Sequence, residues 1–90
     1  MPRYMVQRTF TDGLDIPADE DGAKRLQAVG QANAALGVNW VHSYVSRDRS
    51  AMFCVYDAPS PEAIWLAAKE NDLPVDTITE VSVLDPYFYY

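Results

Sequence analysis

Two hydrophobic rhythms alternate along this chain. Arg3 to Phe10 alternates and is rich in Tyr, Val, Thr and Phe. That pattern predicts a strand, because side chains of an extended chain point by turns to opposite faces. Thr11 to Pro17 contains Asp12, Gly13 and Pro17 and predicts a loop. From Ala18 to Leu36 the period lengthens: Leu26, Val29, Asn33 and Leu36 recur at helical spacing, with Lys24 and Arg25 off the stripe. Asp19, Glu20 and Asp21 crowd the first turn, where the helix dipole favours negative charge, and Gly37 stands where helices commonly end. Val38 to Ser46 is an apolar strand pattern, Arg47 to Ser50 a polar turn and Ala51 to Asp57 a second apolar run, so the three predict a hairpin. Ser60, Pro61 and Glu62 form a helix start, with Ile64, Ala67 and Ala68 as its apolar stripe and an end near Asn71. Thr77 to Leu84 predicts the last clear strand. Asp85 and Pro86 break it, and Tyr87 to Tyr90 has the composition of a short fifth strand.

The order β-α-β-β-α-β predicts an α+β fold of the ferredoxin-like sandwich type, one domain over residues 1–90, with both helices on one face of an antiparallel sheet. An even turn within Arg47–Ser50 pairs Ser46 with Ala51. Tyr44 then faces Phe53, His42 faces Val55 and Ser43 faces Cys54. Strict alternation places Trp40, His42, Tyr44, Phe53 and Val55 on one face, and Val41, Ser43, Val45, Met52, Cys54 and Tyr56 on the other. The second set suits packing under alanine-rich helices. The first set is aromatic and too apolar for water, which predicts a homodimer that covers it.

Composition narrows the function. With 49% hydrophobic against 22% charged residues the chain is not disordered. No apolar run approaches the roughly 18–20 residues that span a bilayer, and the first ten residues lack the apolar core of a signal peptide. These features predict a cytoplasmic protein with no membrane partner. Thirteen carboxylates against seven Lys or Arg give a net charge of -6, which repels phosphate backbones and argues against nucleic acid. One cysteine, Cys54, excludes an internal disulfide or an iron–sulfur cluster, and one histidine, His42, excludes a multi-histidine zinc site within one chain. No nucleophilic triad, phosphate loop or HExxH pattern is present, so no catalytic residue is assigned.

The runs Trp40 to Ser46, Phe53 to Ile64 and Leu73 to Asp76, with Arg3 to Val6 and Arg8 to Phe10, resemble a family of small bacterial ferredoxin-like proteins formerly of unknown function. One described member is a dimeric nickel-binding protein suggested to sequester excess nickel. The resemblance covers nearly the whole chain. It implies the ferredoxin-like fold, a homodimer with an added fifth strand, and nickel binding for sequestration or detoxification.

Candidate ligands follow from side-chain chemistry. Imidazole suits nickel, zinc and copper, and carboxylates suit hard or borderline divalent ions. The expected metal-binding residues are therefore His42 with Asp15, Asp19, Glu20 and Asp21. A hydrogen-bonded interface histidine and helix-dipole charge are the competing readings. Cys54 in a strand reads as a small buried hydrophobe, and Glu70, Asp72 and Asp76 as solvated charge. Arg8 and Glu80, on neighbouring strands, suggest a cross-strand ion pair. The rival function is a small-molecule binder or small enzyme, with Tyr4, Trp40, His42 and Tyr44 lining a pocket.

Overall fold

Alternation in the first strand sets the architecture. The computed structural model describes residues 1–14 and 20–87. Strand β1 (Arg3–Thr9) buries Tyr4, Val6 and Arg8 and leaves their neighbours partly or fully exposed. It is followed by α1 (Glu20–Ala35), β2 (Asn39–Val45), β3 (Ala51–Asp57), α2 (Pro61–Glu70) and β4 (Thr77–Val81). The sheet order is β2-β3-β1-β4 and every pairing is antiparallel, as the expected α+β arrangement requires. Val6, opposite both Cys54 and Ile78, marks the centre of the core. Around it lie Tyr4, Met52, Cys54 and Tyr56 from the sheet and Ile64 and Ala67 from α2.

The helices attach differently. Helix α2 starts as its sequence predicts: Ser60 Oγ accepts from the backbone N–H of Ala63, Pro61 opens the helix, and Asn71 closes it. It buries Ile64, Ala67 and Ala68. Helix α1 fully buries only Gly22 and Asn33, while Leu26 and Val29, and Leu36 just beyond its end, are half-buried. Asn33 is its polar anchor. Its carbonyl accepts from the backbone N–H groups of Leu36 (3.0 Å) and Val38 (2.9 Å). Its side-chain oxygen accepts from Asn71 Nδ2 at 2.9 Å, and Asn71 Nδ2 also donates to the Ala67 carbonyl. One buried amide thus joins the ends of both helices through its oxygen, while its Nδ2 has no hydrogen-bond partner among the described residues.

The hairpin register agrees with the expectation from Val45 back to His42: Tyr44 faces Phe53 and His42 faces Val55. Beyond that point it departs. A bulge at Val41 places Trp40 opposite Tyr56, where strict alternation had put Trp40 on the face of His42. One extra residue moves every preceding side chain to the other face. The indole now packs against the core, and its Nε1 donates to Ser43 Oγ at 2.8 Å. Val41 and Val45 are left exposed rather than under the helices.

Two further expectations change. Strand β4 ends at Val81 and not Leu84, because its partner β1 begins at Arg3, directly opposite Val81. The same register sets Glu80 opposite Tyr4, so the expected Arg8–Glu80 pair does not form. The fifth-strand expectation falls on Tyr87, which is exposed, and on residues 88–90, which lie outside the described residues.

Candidate functional site

His42 projects from β2 on the sheet face away from the helices. The hairpin places it there: Ser46 and Ala51 close the turn, and two-residue steps carry Tyr44 and then His42 to the same side. The two rings meet edge to face, 5.0 Å between centroids and 85° between planes. With Arg3, Met5, Val55 and Val81 they line an open groove of about 490 Å³. Arg3 reaches across to Asp57, its register partner, through two bonds: Nε to Oδ1 at 2.9 Å and Nη2 to Oδ2 at 3.1 Å. That guanidinium holds the Asp57 carboxyl below the usual carboxylate range, chiefly by hydrogen bonding. The groove is therefore apolar, with one neutralised ion pair and one imidazole.

The expected ligands are not brought together. Glu20 and Asp21 are exposed in the first turn of α1, a helix that packs on the opposite side of the sheet from His42. Asp15 and Asp19 lie outside the described residues. Among the described residues no three His, Cys, Asp or Glu side chains are grouped so as to hold a metal ion. Cys54 is 1% exposed in the core, on the face opposite His42, as the alternation had indicated. Glu70 and Asp72 are exposed. Asp76 is structural: it accepts from the Thr9 hydroxyl, and its backbone N–H donates to the Gln7 carbonyl at 2.8 Å. The four residues of the rival pocket are also divided. His42 and Tyr44 line the open groove, whereas Tyr4 is buried in the core and Trp40 packs against it.

Two features escaped the sequence reading. Trp65 and Leu66 are exposed on α2, where with Lys69 and Leu73 they line a second open groove of about 380 Å³. Arg8 is 1% exposed. Its parity with Tyr4 and Val6 was the available signal: every second residue of β1 faces the core, and Arg8 is the third. Its Nη1 donates to the Pro74 carbonyl at 2.7 Å and its Nη2 to Tyr56 Oη at 3.1 Å. No helix of the described residues is long and apolar enough to cross a membrane.

Comparison with known proteins places this geometry. The profile of a family described as nickel responsive protein SCO4226-like matches residues 4–81. The crystal structure of SCO4226 from Streptomyces coelicolor A3(2) superposes with a TM-score of 0.71 at 17% identity, covering 92% of this chain and 99% of that one. That likeness supports the shared fold. No curated protein matches the chain.

Proposed function

This chain belongs to the SCO4226-like nickel responsive protein family, and from that premise we propose that it binds nickel as a homodimer and buffers or sequesters the ion. The family match over residues 4–81 is the observation that carries the reading. The metal is cargo, and its proposed donors are His42 and the acidic segment Asp15, Asp19, Glu20 and Asp21, of which Glu20 and Asp21 lie across the sheet from His42 within one protomer. Imidazole nitrogen and carboxylate oxygen are suitable donors for an octahedral, partly hydrated divalent ion. Within one protomer the described residues form no chelate. A second copy is therefore required, whose histidine or carboxylates complete the site.

The second copy is proposed to cover the sheet face carrying Tyr44, Phe53 and Val55. Tyr44 is 61% exposed there and Phe53 is also exposed, and large aromatics are enriched at protein interfaces. Calorimetric titration with nickel, against magnesium and calcium controls, tests the metal reading. Saturable nickel heat at micromolar protein is expected, weakened at least tenfold by His42→Ala. A titration without saturable nickel heat overturns it. The His42 groove gives the rival reading, a small-molecule binder, one supporting observation. A stable dimer that fills the groove with the partner's side chains would remove that support.

A further inference from the structure

Helix α2 turns two sharply different faces to its surroundings. Ile64, Ala67 and Ala68 are buried, whereas Glu62, Trp65, Leu66 and Lys69 are exposed. Trp65, Leu66 and Lys69 follow Glu62 at three, four and seven residues, so the four form one stripe along the helix. Its centre is apolar: Trp65 is 53% and Leu66 56% exposed. With Lys69 and Leu73 they line the open groove of about 380 Å³. Large apolar side chains grouped on a surface and bracketed by polar residues mark an interaction site.

The order of the charges identifies the partner. Glu62 is in the first turn of α2 and Lys69 in the last. A rise of about 1.5 Å per residue sets them about 10 Å apart along the axis, and the midpoint falls between Trp65 and Leu66. A two-fold axis through that midpoint turns the stripe onto itself. Glu62 then meets Lys69 of the partner subunit, and the reciprocal pair forms at the other end. Trp65 packs against Leu66 of the partner subunit in the centre, where both leave water. The two helix dipoles run antiparallel, each end beside the opposite partial charge. A parallel pairing would instead set Glu62 against Glu62 and Lys69 against Lys69, which like charges oppose. A partner of uniformly acidic or basic surface would match only one end of the stripe.

We infer that the outer face of α2 is a self-complementary docking surface for α2 of a second copy of this chain, in antiparallel orientation about a two-fold axis between Trp65 and Leu66. The helices cover one face of the sheet and His42 is on the other, so this contact is separate from the proposed sheet-face dimer and does not rest on the nickel reading. Its small area places it among weak, transient contacts. A protomer with two such self-complementary surfaces on opposite sides links sheet-face dimers into larger assemblies as concentration rises.

The test uses the full chain carrying Tyr44→Glu and Phe53→Glu, which removes the sheet-face contact, with EDTA present to exclude metal-linked assembly. Sedimentation equilibrium from micromolar to millimolar protein should show the mass rising from one chain towards two. Adding Glu62→Lys sets like charges at both ends of the stripe and should weaken this association at least about tenfold. Adding Lys69→Glu as well restores both pairs, reversed, and should recover it. Circular dichroism checks the fold of each variant. Carbodiimide coupling reads the contact in the wild-type chain, so the test stands even where a variant fails to fold. In an equal mixture of isotope-labelled and unlabelled protein, a crosslink between Glu62 and Lys69 should join one labelled and one unlabelled peptide. A mass that stays at one chain up to millimolar protein overturns the inference. So does a folded double exchange that fails to recover association, or the absence of that mixed crosslink.

Discussion

Asp48 shows how much one exposed carboxylate can organise. It accepts from Ser46 Oγ (2.7 Å), the Ser50 backbone N–H (3.0 Å) and Ser50 Oγ (2.7 Å). These bonds, the one from Ser46 foremost, draw its carboxyl down to about 2 from 3.8. A group whose acidity is strengthened by folding stabilises the fold above its unfolded value and loses that contribution as pH falls through the folded one. The Asp48 contribution should thus be present above about pH 4 and disappear towards pH 2. The Tm of the wild type should fall more steeply than that of Asp48→Asn across this window, and equal slopes would show that the turn carries no such linkage. Arg49, at φ 63° in the same turn, needs this support because non-glycine residues rarely adopt that region. The residue-level reading of Cys54 as a buried hydrophobe agrees with its place in the core. Arg8 was misread because its charge suggested a partner on β4, while its parity already pointed inward.

At the scale of elements, the instructive case is β2. Its apolar run reads as a regular strand, and the bulge leaves no mark in hydrophobic alternation because Trp40 and Val41 are both apolar. Burial of the large indole against Tyr56 decides the matter. Deleting Val41 should restore the ladder and keep Trp40 on the core face, since residue 40 would then directly precede His42. We expect a stability change within about 1 kcal/mol, typical of changes away from the core. In a Trp65→Phe background the emission maximum of Trp40 should stay in place, whereas a red shift would show that the indole had turned outward. The caps of α2 were legible because Ser60 and Pro61 act through local backbone chemistry. The end of β4 was not, because pairing stops where β1 stops.

For the whole molecule, the open sheet face is the dominant unsatisfied feature. Alternation placed His42, Tyr44, Phe53 and Val55 together, and the sheet aligns His42, Tyr44 and Val55 with Met5 and Val81 in one groove. A homodimer built on this face should have twice the monomer mass by sedimentation equilibrium. Replacing Tyr44 and Phe53 together by Glu should weaken it at least tenfold and leave the circular dichroism unchanged, because neither side chain belongs to the core. A wild-type mass equal to one chain at high micromolar concentration would refute the dimer.

The sequence by itself determined the element order, the fold class, the hairpin register from Val45 back to His42 and the opposition of His42 to Cys54. These depend on local periodicity and on turn length, which the residues carry in their order. Only the tertiary structure decided the rest. It moved Trp40 across the sheet, separated His42 from Glu20 and Asp21, and buried Arg8. Each of these outcomes rests on competition for a shared interior: a large ring gains more by burial than a regular ladder loses, and strand pairing sets which faces meet. No spacing along the chain encodes that competition, because its partners are distant residues.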